Sequence, residues 1–229
     1  MTTTEQFNEL AELAGGFIHE IKNHISTLAL NLQILAEDFA EPQNPRERKA
    51  SERVQRLQHE CERLVQVSND FLRFARAEQL RLEPAGLDDV VGEMVDFLSP
   101  TAKQKGIAIT WYPGGNLPPV LLDRDLFKQA LLNLLLNAEQ AMPTGGEIIL
   151  QASREAEFVR LDAIDTGCGI APEMLPKVFK PFHTTKPGGT GLGMPTTRKI
   201  VQAHGGHIDV QSEEGRGTKV SIRLPVAAS

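Results

Sequence analysis

From Phe7 to Phe39 the apolar residues keep one spacing. Phe7, Ala11, Ala14, Ile18, Ile21, Ile25, Leu28, Leu32, Leu35 and Phe39 follow one another in alternating steps of four and three. A helix of 3.6 residues per turn gathers such a set into one narrow stripe, and a stripe that narrow must be covered by another helix. The pattern stops at EPQNPRE, where Pro42 and Pro45 disfavour the helical conformation of the residues before them. It resumes with Val54, Leu57, Cys61, Leu64, Ser68, Phe71 and Ala75. The spacing predicts two long antiparallel helices joined by a short loop. A two-helix hairpin covers only part of its stripe, so the expected completion is a homodimeric four-helix bundle. Packing of the hairpin on the rest of its own chain is the competing arrangement.

One residue beside this seam stands out. With Ile18 at the first seam position, His19 faces outward, Glu20 follows it, and Asn23 lies one turn on, on the same face. An outward histidine is ordinarily just solvated. A zinc reading of HEIKNH fails, because His19 and His24 are five residues apart and point to different faces, whereas the zinc-protease helix needs a spacing of four.

After a link near Leu80–Gly86 the periodicity changes. Residues 87–104 read as a helix interrupted late by Pro100, IAITWY (107–112) as a strand, and GGNLPPV as a loop. Asp123 is placed to cap an apolar helix ending before Pro143 and Gly145. EIILQAS (147–153) and EFVRLDAID (157–165) read as a hairpin turning at Arg154–Ala156. Residues 166–190 read as a long functional loop. TGLGMPTTRKIVQAH reads as a helix ending at Gly205–Gly206, and GHIDVQS and GTKVSIRLP as two closing strands. Without regular βαβ alternation, the expected class is α+β: the helical hairpin, then a mixed sheet covered by helices on one face.

Three polar features do not suit a simple core. Asn133 and Asn137 share one face of the apolar run NLLLNA. Two amides there need partners, and their oxygens suit a hard cation such as Mg²⁺, though capping of nearby backbone would satisfy them equally. In DTGCGI (165–170), Asp165 ends a strand and Gly167 and Gly169 make a tight loop that a flat group can approach. In GGTGLGM (188–194), successive backbone amides at a helix start suit phosphate. No GxxxxGK[ST] loop is present, and GTGLGM lacks the dinucleotide GxGxxG spacing.

Composition removes several functions. The net charge is −6 and aromatics are 5%, with one Trp and one Tyr, which argues against a nucleic-acid surface. The two cysteines, Cys61 and Cys168, have no paired spacing, so a disulfide framework is not expected and a reducing, cytoplasmic compartment fits. MTTTEQFNEL lacks the basic and apolar regions of a signal peptide, and ALLNLLLNA is too short to cross a bilayer. His204 and His207 flank the Gly205–Gly206 helix end, which favours a structural role over metal ligation.

Taken in order, these motifs resemble the catalytic core of two-component sensor histidine kinases, whose ATP-binding domain is shared with DNA gyrase and related ATPases. HEIKN resembles the H box, NLLLNA the N box, DTGCGI the first G box, FKPF the F box, GTGLGM the second G box and GRGT (215–218) a last glycine motif. HEIKN, PFHTTK and GTGLGM are most similar in style to the nitrogen-regulation type. The resemblance implies a dimerisation and phosphotransfer hairpin over 1–80 and a catalytic ATP-binding domain over 81–229. It implies that His19 accepts the phosphoryl group, that Glu20 fixes its tautomer, and that Asn23 positions water for a phosphatase reaction. Asn133 and Asn137 would hold Mg²⁺ on ATP, Asp165 would read the adenine amine, and Thr218 would assist through a water. Gly167, Gly169, Gly189, Thr190, Gly191, Leu192 and Gly193 would shape the lid and phosphate cradle, with Lys186 near the phosphates. An aspartate on a response regulator receiver domain would receive the group, and the signal would come either from a sensor region of a longer chain of which this is a fragment or from a separate sensor or activating protein.

Two other functions compete. A phosphotransfer scaffold with a degenerate ATPase domain would have lost an N-box asparagine or Asp165, and neither is lost. A gyrase-type clamp would carry a glutamate where this chain has Asn133. One departure from the resemblance is His24, where many members have proline after the H-box asparagine.

Overall fold

The computed structural model describes the backbone of residues 3–76, 80–186 and 189–227, and side chains within 20–72, 80–186 and 189–227. It divides into two compact units: Met1–Arg76 with Thr185–Thr190, and Ala77–Thr184 with Gly191–Ser229.

The first unit is a helical hairpin, α1 (Thr3–Asp38) and α2 (Pro45–Arg76). The start of α2 is specified locally. Asn44 Oδ1 accepts from the backbone N–H groups of Arg46 and Glu47, and Glu47 reaches back to the Gln43 N–H. With Pro45 at the first helical position, this is a variant of the capping box in which Glu47 receives the N–H of the residue before the cap. The seam itself divides in two. Ile25, Val54, Cys61 and Ser68 are buried, with Leu32 and Phe39 half-buried, so every seventh residue packs inside the hairpin. The alternate seam residues Leu28, Leu35, Leu57 and Leu64 remain 58%, 41%, 53% and 49% exposed.

The second unit begins with β1 (Glu83–Ala85), which pairs antiparallel with β3 (Val120–Leu122). This two-stranded ribbon falls in segments that the sequence pattern reads as link and loop, because three-residue strands are too short to show alternation. Between them lie α3 (Leu87–Gln104) and β2 (Ile107–Tyr112). The helix α3 is not interrupted by Pro100, which stands inside it. Then come α4 (Arg124–Gln140), β4 (Gly146–Glu155), β5 (Phe158–Asp165), α5 (Gly193–Ala203), β6 (His207–Glu213) and β7 (Gly217–Pro225). The β4–β5 turn sits at Ala156–Glu157, slightly later than expected, with Ala156 in the left-handed region (φ 49).

The main sheet has the order β2-β4-β5-β7-β6. β2 runs parallel to β4 and the other pairs are antiparallel, so the sheet is mixed. Val159 and Leu161, and Val220, Ile222 and Leu224, alternate with polar neighbours, and Ile148 and Leu150 occupy the buried phase of β4. They join Val91, Met94, Phe127, Leu131 and Leu135 of the helices in one core. The opposite face carries ions. Asp162, only 4% exposed in its side chain, contacts Arg160 at 2.8 Å and Lys219 at 3.1 Å, and accepts from Ser221 at 2.6 Å. Burial pushes its carboxyl up, but the hydrogen bonds from Arg160, Ser221, Gln151 and Lys219 overrule it and hold the pKa well below the usual range. Among the described residues no helix is long and apolar enough to cross a membrane.

Candidate active site

The candidate residues fall in both units. In the first, the backbone of His19 lies within α1, and its side chain is outside the described residues. Glu20 and Asn23 are exposed on the same helix, which continues through His24. Just beyond His19, Lys22 Nζ donates to Asn69 Oδ1 of α2 at 3.0 Å and ties the two helices together. Among the described residues no three His, Cys, Asp or Glu side chains form a metal-binding group. The segment Thr185–Thr190 groups with this unit, and there Thr190 Oγ1 donates to Asp70 Oδ2 at 3.0 Å. Lys186, Gly189 and Thr190 are therefore grouped with α2 rather than with Gly191–Gly193.

In the second unit, α4 presents Asn133 and Asn137 half-buried, between the buried residues Leu131, Leu134, Leu135 and Ala138. The N-terminus of α5 lies beside them. Asn133 Nδ2 donates to the Gly193 carbonyl at 3.2 Å, and that carbonyl also accepts from Thr197 Oγ1 at 3.0 Å. Asn133 thus commits its amide nitrogen and leaves its oxygen as the group able to coordinate a hard cation. Leu192, at the cap position of α5, offers no side-chain acceptor to the first-turn amides. A helix start without such a cap, beside two amide side chains, suits an anion. A Cβ added at Gly193 would meet only Asn137 Nδ2 at 3.7 Å and Asn133 at 3.9 Å. The protein's own packing therefore does not require glycine there, whereas a phosphate lying close to the backbone would. The donor set and the open space at Gly193 both fit a Mg²⁺–triphosphate.

A second cluster forms where β5 ends. Asp165 is buried, and its Oδ1 accepts from the backbone N–H of Gly167 at 2.9 Å and of Thr218 at 3.2 Å. These bonds fix the carboxylate beside a small hollow that Leu134, Ala138, Asp165 and Val220 help to line. The loop over it is shaped by close backbone approach. Gly169 has φ +70, and a Cβ there would fall 2.1 Å from the Glu213 carbonyl oxygen. Farther along, Gly191 (φ +67) accepts at its carbonyl from the Phe182 N–H at 3.1 Å, and the Arg198 guanidinium lies 5.3 Å from the Phe179 ring centre. FKPF is thereby attached to the turn before α5 and to the middle of that helix.

Asn133, Asn137 and Gly193 come together, as do Asp165, Gly167 and Thr218. The sequence reading missed Ser212, whose hydroxyl contacts the backbone of Ile170 and Gly217 and the hydroxyl of Thr218. It also missed the link between His204 and the backbone of Asp123. A signal for Ser212 was present: in HIDVQS it occupies the same alternation phase as Ile208 and Val210, a polar residue on the apolar side.

Known proteins match both units. Residues 9–80 match the family described as His Kinase A (phospho-acceptor) domain. Residues 122–228 match histidine kinase-, DNA gyrase B- and HSP90-like ATPases. The chain is 35% identical over 226 residues to the sensor histidine kinase ZraS of Escherichia coli K12, covering 99% of this chain and 48% of ZraS. It is 31% identical over 227 residues to the signal transduction histidine-protein kinase AtoS of the same organism, covering 99% of this chain and 36% of AtoS. The chain thus spans about half the length of ZraS and less of AtoS. Among solved structures, full-length ShkA in complex with AMPPNP superposes with a TM-score of 0.74 at 28% identity, over 95% of this chain and 47% of ShkA. ThkA in complex with the response regulator TrrA gives a TM-score of 0.69 at 21% identity, over 96% of this chain and 64% of that one, a likeness of fold.

Proposed function

We propose that the chain is a histidine kinase catalytic core, joining a phospho-acceptor hairpin to a gyrase-type ATPase domain, and that it transfers the γ-phosphoryl group of ATP to His19. The observation that carries this reading is the pairing of Asn133 and Asn137 with the α5 start at Gly193, beside the Asp165 cluster. One end suits phosphates and a hard cation, the other a base with a hydrogen-bond donor.

Mg²⁺, when bound, would neutralise phosphate charge, with Asn133 and Asn137 as its side-chain ligands. Asp165 would accept from the adenine amine, with Thr218 assisting through a water. Gly167, Gly169 and Gly189–Gly193 would shape the loop and cradle, and Lys186 would approach the phosphates. Phosphoryl transfer asks a protein mainly for positioning and charge neutralisation, which these groups supply. His19 would attack in line with the leaving group, and Glu20 would hold the tautomer that leaves the attacking nitrogen unprotonated.

Residues 1–80 then serve dimerisation and phosphotransfer, and 81–229 nucleotide binding. The exposed leucines of the hairpin support a homodimeric four-helix bundle. The phosphoryl group would pass from His19 to an aspartate of a response regulator, and Asn23 would orient the water of a reverse, phosphatase reaction. A cytoplasmic location, a separate sensor or activating protein, and a nitrogen-regulation style suggested by HEIKN, PFHTTK and GTGLGM complete the reading.

Incubation with Mg²⁺ and γ-labelled ATP tests it. Protein-bound label that survives alkali and is lost in acid is expected. Acid-stable label, or free phosphate released without labelling the protein, contradicts it.

A further inference from the structure

Asp165, Thr218 and Ser212 form one row across three strands. Asp165 of β5 stands opposite Thr218 of β7, and Thr218 stands opposite Ser212 of β6. The row shares its face with Val220 and Ile222 and ends at the hollow beside Asp165. We propose that Ser212 is a positioning residue that sets the hydroxyl polarity of Thr218, so that the row offers only hydrogen-bond acceptors to the base and selects adenine over guanine nucleotides. This deepens, and rests on, the reading of Asp165 as the base-recognising group.

The hydrogens of the two hydroxyls can be assigned one by one. A serine hydroxyl has one hydrogen to give and two lone pairs to receive. Ser212 Oγ lies 2.9 Å from the Ile170 N–H, which can only donate, and 2.8 Å from the Gly217 carbonyl oxygen, which can only accept. Its single hydrogen is therefore committed to Gly217, and one lone pair to Ile170. The third contact, 3.0 Å to Thr218 Oγ1, must use the remaining lone pair of Ser212 and the hydrogen of Thr218. With its hydrogen turned toward Ser212, Thr218 has only lone pairs for a ligand or a bridging water. Its neighbour Asp165 is an acceptor when ionised. A donor edge such as the adenine amine suits this wall. The oxo group of guanine meets acceptors, and a buried acceptor facing an acceptor is strongly rejected. Ser212 also joins the DTGCGI loop to β6 through Ile170, so the selecting row and the loop over it are held by one hydroxyl.

Equilibrium binding of ADP and GDP, which differ only in the base, tests the proposal on the whole chain with Mg²⁺. The wild type is expected to prefer ADP by at least about a hundredfold. Ser212→Ala frees the Thr218 hydroxyl to rotate, and the ADP/GDP ratio is expected to fall by about tenfold or more. In a Thr218→Val background the same Ser212 substitution is expected to change the ratio no further, because the hydroxyl it orients is gone. An equal loss of affinity for both nucleotides in Ser212→Ala overturns the proposal, since that is what a purely structural role would give. So does an undiminished Ser212 effect on the ratio when Thr218→Val is already present. Thr218→Val alone reads the same acceptor, and an unchanged ratio in that variant overturns the proposal even if Ser212→Ala does not fold. A wild type that binds both nucleotides equally also overturns it. A wild type that binds neither overturns the nucleotide reading and this inference together. The assay reads no phosphorylation, so a failure of His19 as acceptor leaves it unaffected.

Discussion

His204 Nε2 accepts a hydrogen bond from the backbone N–H of Asp123 at 2.9 Å. The ring is 3% exposed, its Nδ1 lies 2.8 Å from the Ile200 carbonyl oxygen, and it meets Phe127 edge-on. An acceptor at Nε2 and a carbonyl facing Nδ1 together require the neutral ring with its hydrogen on Nδ1. The bond joins the end of α5 to the start of α4, where Asp123 caps Leu126 and accepts from the Arg81 N–H. Nitrogen NMR should therefore find His204 as the Nδ1–H tautomer. His204→Ala should cost about 2–4 kcal/mol in denaturant unfolding, combining lost packing with an unpaired backbone N–H.

The pKa of Asp162 is depressed in the folded protein, so its contribution to stability is complete above the unfolded carboxylate pKa and is lost as pH falls through the lower folded value. Stability measured by denaturation should fall between about pH 4 and 2, and Asp162→Asn should make that fall shallower by up to one proton. The variant should be less stable than the wild type at neutral pH, because Arg160 and Lys219 lose their shared partner. An unchanged acid slope would contradict the ion network.

Leu28, Leu35, Leu57 and Leu64 are exposed within the protomer, so a charge placed there costs little unless a second protomer covers them. Leu28→Asp with Leu57→Asp should convert a dimer to a monomer in light scattering while ADP binding persists. A wild type that is monomeric at micromolar concentration would contradict the four-helix bundle.

Two glycines should behave in opposite ways. Gly169→Ala forces a Cβ onto the Glu213 carbonyl at positive φ and should destabilise the second unit by about 2 kcal/mol or more. Gly193→Ala meets nothing closer than 3.7 Å and should fold normally, yet lose about tenfold or more in ATP affinity because its methyl occupies the cradle. Thermal unfolding and nucleotide titration separate the two effects.

Much of this arrangement could be read in the sequence. The 3-4 seam specifies a hairpin, and it divides into residues such as Ile25, packed inside, and Leu28, left outside, as the proposed bundle requires. Asp123 as a helix cap, and Asn133, Asn137 and Asp165 as misfits in apolar surroundings, are local signals. The β1–β3 ribbon was not legible because its strands are three residues long and owe their form to pairing with each other. Pro100 was misleading: as an exposed residue of α3 it is tolerated where the rest of the helix is anchored by Val90, Val91, Met94 and Ala102. Ser212 and His204 carry meaning only through partners brought together by the sheet and the helix pair. Ser212 meets Ile170, 42 residues away, and His204 meets Asp123, 81 away.

Whether His19 takes the phosphoryl group from ATP is decided most directly by three proteins side by side. Wild type, His19→Gln and Asp165→Asn should be incubated with Mg²⁺ and γ-labelled ATP, and the bound label followed through acid and alkali. Acid-labile, alkali-stable label is expected on the wild type, none on His19→Gln despite intact nucleotide binding, and little on Asp165→Asn because nucleotide binding is lost. Label that persists undiminished on His19→Gln would contradict His19 as the acceptor.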